Sequence, residues 1–308
     1  MAESFKSMIG YANRQNIHIA FCLQMERIMK VKVLVENTGS DGFCAEHGLC
    51  LYVEYKDKRY LIDSGASGLF AENADKLGVS LENVDAAFLS HAHYDHSGGY
   101  AEFFRRNKYA KVYLQKASVN RQYFKIAGPI KKYIGIPKGM LDEYADRFEF
   151  IDGAAKIDDG IYIVPHSSDG ILERAKRTHM YTVAGSKMKL DDFSHEQTVV
   201  FEEDDGLVCL NSCSHSGVDI VIDEVKRAFP DKKIKAYIGG FHMMGIKGAA
   251  SCGYSKEEVQ DVANKLIKSS DAVFFSGHCT GTVAFEWLKE VLGDRLVALC
   301  SGKVIEIE

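Results

Sequence analysis

The chain has 308 residues, 46% of them hydrophobic, with a formal net charge of -5 and a pI near 6.1. That is enough apolar material for one large α/β core or two smaller ones, it leaves no broad basic surface for nucleic acid, and no apolar run approaches the roughly 18 residues that a membrane-spanning helix requires. The eight cysteines are scattered without a C-x-x-C pair, which reads as reduced cytosolic thiols rather than a disulfide framework.

In chain order, residues 1–28 fit poorly with the rest of the chain. Ile17 to Leu23 is too short and too weakly flanked for a signal peptide, so this extension is expected outside the core, with residues 29–308 forming a single domain. Regular patterning then begins. Lys32–Asn37, Gly48–Tyr55 and Arg59–Asp63 read as a β-meander, the last two joined by a tight turn at Lys56-Asp57-Lys58. Glu46-His47 lies on the loop before the second strand, and Asp63-Ser64-Gly65 ends the third.

Asp85 to Ser90 reads as a short buried strand and Tyr100 to Arg106 as a helix. Between them stands His91-Ala92-His93-Tyr94-Asp95-His96-Ser97-Gly98-Gly99. With 11 His in 308 residues, three within six positions is a poor outcome for chance. Imidazole and carboxylate together suit Zn²⁺ and other borderline divalent metals. Alternate residues of an extended loop point to different sides, so two neighbouring ions are expected, His91 and His93 reaching one, Asp95 and His96 the other. A solvated His-rich loop or a closed structural zinc site is the competing reading. The latter is normally closed by four ligands and rich in Cys, and no Cys lies in this stretch.

His-x-His-x-Asp-His after a buried strand and before Ser-Gly-Gly resembles the signature of the metallo-β-lactamase-fold hydrolases. The resemblance implies a four-layer αβ/βα sandwich with a one- or two-metal centre at one edge of its two sheets. It also implies that Asp63, at the end of the third strand, lies near the metals and braces the ligand loops or contacts substrate.

Beyond the motif, Lys111–Leu114 reads as a buried strand. Residues 118 to 141 show no clear period, which predicts an irregular insertion serving as lid or substrate wall. Lys131, Lys132 and Lys138 within it would favour an anionic group where they face inward. Arg147–Ile151 and Gly160–Val164 read as paired strands, and His166 opens a long polar segment to Asp192, with His166 and His179 as loop residues. Asp191 to Thr198 resembles a subfamily that includes the dihydropterin ribofuranosyl-aminobenzene phosphate synthases, and His195 is expected either at the substrate or as a hydrogen-bonded loop residue.

Three further units carry the second half. Gly206–Ser212 is a buried strand, followed by Cys213-Ser214-His215-Ser216-Gly217 and an amphipathic helix from Val218. Cys209 and Cys213 flank the end of that strand, where a small apolar residue would serve as well. By resemblance, His215 is the third ligand of the first ion. Ile234 to Ile238 ends in Gly239-Gly240-Phe241-His242, where the superfamily usually places a metal-bridging Asp. That departure puts the second ion in question and makes His242 a candidate catalytic or ligand residue. Asp271 to Ser276 leads to Gly277-His278-Cys279-Thr280-Gly281, and His278 matches the last ligand of the second ion. Three His, each at the end of a strand and before a helix, predict convergence at one sheet edge.

The expected activity is metal-dependent hydrolysis of an ester-, phosphoester- or lactone-like small molecule, anionic and possibly a phosphorylated pterin, with Asp95 orienting water. Zn²⁺ is the expected ion, with Mn²⁺ or Fe²⁺ as alternatives. A mononuclear iron oxygenase acting on persulfides and a non-catalytic metal-binding module are the rival classes. No nucleic-acid or membrane partner is expected, and a cytoplasmic location is.

Overall fold

The computed structural model describes residues 28–128, 130–166 and 170–307, so the expected extension 1–28 lies, but for Ile28, outside the described residues. The opening meander becomes one side of a seven-stranded sheet. Met29–Val35, Cys50–Tyr55 and Lys58–Ile62 pair antiparallel, and Ala86–Phe88, Lys111–Gln115 and Phe148–Ile151 add in parallel. Val304–Ile307 closes the other edge against Met29–Val35.

A second seven-stranded sheet runs in the order Leu296–Ala298, Val273–Ser276, Ile234–Ile238, Gly206–Leu210, Gln197–Glu203, Ile161–Pro165, Ala155–Asp158. Its parallel strands are covered on both faces, which explains unbroken apolar runs such as Gly206–Leu210, buried at every position. Val31, Leu51, Ile62 and Phe88 of the first sheet meet Ile163, Phe201, Val208 and Ile238 of the second in a continuous buried layer. Helices cover the outer faces: Leu69–Lys76 and Tyr100–Arg106 on the first sheet, and Val218–Ala228, Lys256–Ser269 and Thr282–Leu292 on the second. Val218, Val221, Ile222 and Val225 recur at helical spacing and are all buried. Ser255 and Glu258 form a capping box that starts the next helix. The result is the expected αβ/βα sandwich.

Three expectations are corrected. Residues 118 to 141 are not irregular. Arg121–Ala127 and Ile130–Tyr133 form a hairpin that joins Met180–Ala184 and Lys187–Leu190 in a four-stranded antiparallel accessory sheet. For the same reason His166 to Asp192 is not one polar segment, since it holds two of these strands and the helix Ile171–Arg177. Phe148–Ile151 and Ile161–Pro165 do not pair. The chain crosses between sheets there, and the residues between them supply Ala155–Asp158 as the hairpin partner of Ile161–Pro165. Among the described residues, no helix is long and apolar enough to cross a membrane.

Candidate metal centre

The short strand Ala86–Phe88 ends beneath the His-rich loop, and Tyr94–Ser97 forms one helical turn that turns His96 back toward His91. Gly98 follows because the chain passes so close to the Ala66 carbonyl that a Cβ there would sit 2.1 Å from its oxygen. From the second sheet, His215 enters from the loop after Gly206–Leu210. The rings of His91, His93 and His215 form a near-regular triangle with centroid separations of 4.6, 4.8 and 4.7 Å. All three are buried, and the Nε2 atom of each has no hydrogen-bond partner. Buried polar atoms are ordinarily satisfied, so three orphaned nitrogens in one cluster point to a missing electrophile.

The second cluster gives the same answer through tautomers. A carboxylate only accepts hydrogen bonds, so His96 Nδ1, 2.7 Å from Asp63 Oδ2, carries the proton and leaves a lone pair on Nε2. His278 Nδ1 lies 2.9 Å from Asn37 Oδ1, and Asn37 Nδ2 donates to the His278 carbonyl, which orients the amide so that Nδ1 donates here too. The two Nε2 atoms therefore face each other at 3.1 Å, and Asp95 and Asp63 raise the pKa of His96 while burial lowers that of His278. Asp95 Oδ2 lies 3.8 Å from the first and 3.6 Å from the second. Ligand atoms about 2.0–2.1 Å from a tetrahedral ion are about 3.4 Å apart. These spacings fit an ion.

Cys213 lies between the two clusters. Its buried Sγ is 3.3 Å from His96 Nε2, and its ligand atom falls within reach of His91 and His215 on one side and of His96 and His278 on the other. In sequence this thiol reads as filler at a strand end, and the expected bridging donor is a carboxylate after Ile234–Ile238. The structure leaves no room for one there: a Cβ on Gly239 would lie 1.8 Å from the Asn211 carbonyl oxygen, and one on Gly240 2.5 Å from Cys279 Sγ. A donor between the clusters is thus present, supplied by the neighbouring strand.

The loops are held by buried carboxylates. Asp63 accepts from Ser90 N at 2.7 Å and from Ser90 Oγ at 2.6 Å, and Ser90 Oγ in turn lies 2.8 Å from His91 Nδ1. With its hydroxyl proton given to Asp63, Ser90 accepts from His91 and fixes that tautomer as well. Glu196 accepts from the backbone N–H of His215 and Ser216 at 2.8 and 3.0 Å, and Glu36 accepts from that of His278. His195 accepts from Ala92 N at 3.1 Å through Nδ1, leaving Nε2, 3.2 Å from Asp191 Oδ2, to donate. The substrate contacts expected of Asp63 and His195 are therefore corrected: both are buried with their polar atoms committed to the ligand loops. His166 is likewise engaged, by Glu224, Thr198 and Asn211. Five of the seven described non-glycine residues with positive φ, Asp63, Phe193, Ser214, His242 and His278, stand around this centre, a concentration of costly backbone typical of functional sites.

Burial, reinforced by neighbouring imidazoles, holds His91, His215 and His278 well below the ordinary imidazole range and His93 down to about 3. They are neutral, the form that binds metal. A cavity of about 460 Å³ opens onto the clusters. Its floor includes His93, Asp95, Cys213, His215 and His278, and its walls include His47 and His242. His47 Nε2 lies 3.2 Å from Asp95 Oδ2. The His242 ring sits 3.9 Å from that of His215, and its Nδ1 has no partner.

Fold and site together define a metal-binding αβ/βα sandwich with its centre at the joint edge of two sheets. Residues 45–172 match the model of the metallo-beta-lactamase superfamily, and the chain has the metallo-beta-lactamase fold. It is 28% identical, over 90% of its length and all of the relative's, to an uncharacterized protein of Methanocaldococcus jannaschii. It is 23% identical, over 90% of its length and 96% of the relative's, to 7,8-dihydropterin-6-methyl-4-(beta-D-ribofuranosyl)-aminobenzene-5'-phosphate synthase of the same organism. Among solved structures, Tm1679, described as a metal-dependent hydrolase of the beta-lactamase superfamily, aligns with a TM-score of 0.75 at 24% identity, covering 91% of this chain and 99% of that one. The Bacillus subtilis fold relative YhfI aligns with a TM-score of 0.54 at 14% identity, covering 91% and 99%.

Proposed function

We propose that this protein is a metal-dependent hydrolase of small molecules, and the observation that carries the reading is the convergence of unpartnered imidazole lone pairs on the floor of an open cavity. In this reading His91, His93 and His215 hold one divalent ion, Asp95, His96 and His278 hold a second, and Cys213 stands between them. The nitrogen and sulfur donors favour Zn²⁺, with Fe²⁺ and Mn²⁺ as the alternatives to test.

A divalent ion there supplies a Lewis acid and brings the pKa of water from 15.7 to about 7. The chain's own contribution is geometric. Asp63, Glu196 and Glu36 hold the ligand loops in register, so little reorganisation accompanies reaction. Asp95, hydrogen-bonded to His47 at the cavity wall, orients the attacking water. His242 lines the cavity and has a buried Nδ1 without a hydrogen-bond partner, and we assign it the proton transfer to the leaving group. Group transfer to an acceptor other than water is the second reading, favoured by the full-length similarity to a synthase.

Elemental analysis of the purified protein, followed by an ester, phosphoester and lactone panel with the matching metal restored, tests both. Zinc with hydrolysis supports the first reading, and iron with oxygen consumption replaces it by an oxygenase. His93→Ala is expected to abolish turnover and reduce bound metal, and full activity in that variant removes the hydrolase reading.

A further inference from the structure

The net charge of -5 conceals a sharp local segregation. Residues 121–138 and 174–189, which contain three of the four accessory strands and most of the fourth, hold ten Lys or Arg and no Asp or Glu. At the chain's average of 43 acids in 308 residues, about five would be expected in a stretch that long. This sheet forms one wall of the cavity over the metal centre: Phe124, Ile126, Lys132, Ile134 and Met180 line it, and Met244 and Ile246 face it from the hairpin at 244–252.

Strand alternation sorts the lysines. Lys131 and Lys138 lie over Tyr123 and Tyr133, away from the cavity, whereas Lys132 lines it, with its ammonium 5.4 Å from the centre of the Tyr94 ring. Tyr94 stands between His93 and Asp95, so this charge is held against the ligand loop itself. Lys132 has no carboxylate partner among the described residues. Arg177 also lines the cavity, stacked 4.6 Å over Tyr254 with one edge of its guanidinium on Glu258 at 2.8 Å. The fork geometry of Arg leaves its other donors for a planar or tetrahedral anion. Against these two cations the lining has a single carboxylate, Asp95, which belongs to the centre.

We propose that the cavity takes a partly apolar anion whose body lies against Phe124, Ile134 and Met180 and whose phosphate or carboxylate, remote from the reacting bond, is read by Lys132 and Arg177. This rests on the hydrolase reading only for where the reacting bond sits. The acid-free sheet draws such anions toward the mouth, an attraction that salt weakens.

The test compares mono(4-nitrophenyl) adipate with 4-nitrophenyl hexanoate, which differ in charge at the end remote from the ester, on the metal-loaded protein. The expected kcat/KM ratio is at least tenfold in favour of the adipate, falling about tenfold in Lys132→Ala and in Arg177→Ala, retained in Lys132→Arg, and retained in Glu258→Gln, which frees Arg177 without removing it. Calorimetric binding of 2-naphthylacetate against 2-naphthylacetamide gives the readout without turnover. If neither ester is hydrolysed but the anion binds at least tenfold tighter and loses that margin in the Lys132 and Arg177 variants, the hydrolase reading falls and the anion site stands. Equal preference for charged and neutral probes in the wild type, or a preference unmoved by both substitutions, overturns the proposal.

Discussion

Asp63→Asn probes the link between backbone scaffold and metal affinity without touching a ligand. In the wild type, Oδ1 accepts from Ser90 N, and Oδ2 accepts from both Ser90 Oγ and His96 Nδ1. Asparagine keeps the first contact through its oxygen, but its amide nitrogen then faces two donors. Two hydrogen bonds to a charged acceptor are lost, each worth about 1.5–3 kcal/mol. The site relaxes by moving protons: His96 turns Nδ1 into an acceptor, and Ser90, no longer donating to residue 63, donates to His91 Nδ1. That recovers much of the folding free energy, leaving a net cost of about 1–3 kcal/mol. It also places a proton on Nε2 of both His96 and His91, where a lone pair must face the metal. Loss of such tautomer-fixing partners costs about 10–100-fold in metal affinity, and here one substitution acts on a ligand of each cluster. The variant is therefore expected to bind metal about 100-fold more weakly in chelator competition, with a smaller shift in urea unfolding of the metal-free protein. Affinity within threefold of the wild type would refute the relay from Asp63 through Ser90 to His91.

Cys213→Ala is expected to lower the bound metal from about two equivalents to about one while leaving the fold intact, since the thiol touches both ligand clusters but little of the apolar core; unchanged stoichiometry by elemental analysis would remove Cys213 from the centre. Phe274→Ala, at a fully buried position of the second sheet, is expected to cost about 3–5 kcal/mol in urea unfolding. Glu102→Gln tests a surface cluster. Hydrogen bonds from Arg105 and then Arg106 hold the Glu102 carboxyl down to about 2, so its contribution is full above the unfolded value of about 4.3 and disappears as pH falls to about 2. Because the pair is open to solvent, the substitution should cost under about 1 kcal/mol at pH 7 and nothing in unfolding at pH 2, and a difference independent of pH would contradict this.

The ligand loop 91–96 is legible in sequence because its information is local: a buried strand, a loop, and donors at consecutive positions. His215 and His278 are legible for a related reason, each being the single His at the mouth of a strand-loop-helix unit. Cys213 is not. Whether a strand-end thiol is filler or ligand depends on which strand ends meet, and the packing of Gly239 and Gly240 against Asn211 and Cys279 is invisible in a linear pattern. The accessory sheet is hidden because it pairs distant segments, Phe124 registering with Met180, and because lysines and tyrosines on its outer face blur the alternation. Phe148–Ile151 and Ile161–Pro165 mislead in the opposite way: neighbours in sequence with strand-like composition suggest a hairpin, but each completes a different sheet.

The carboxylates below the site explain why the imidazole cluster holds together. Asp63, Asp191, Glu36 and Glu196 are buried, and among the described residues none has a Lys or Arg within ion-pair distance. A buried carboxylate without a cation is costly, and the hydrogen bonds each accepts offset only part of that cost. The nearest titratable groups are His96 on Asp63 and His195 on Asp191, whose pKa these carboxylates raise, and beyond them stand His91, His93, His215 and His278, held neutral by burial. Negative charge thus lies beneath a core in which four of the five ligand imidazoles are held neutral. Positive charge placed where these imidazoles converge would offset the carboxylates and satisfy the nitrogens at once, whereas a proton on His91, His93, His215 or His278 would charge an imidazole that burial keeps neutral. The same arrangement that makes the empty cluster expensive makes it selective for a divalent cation, and the metal-loaded protein should accordingly be the more stable form.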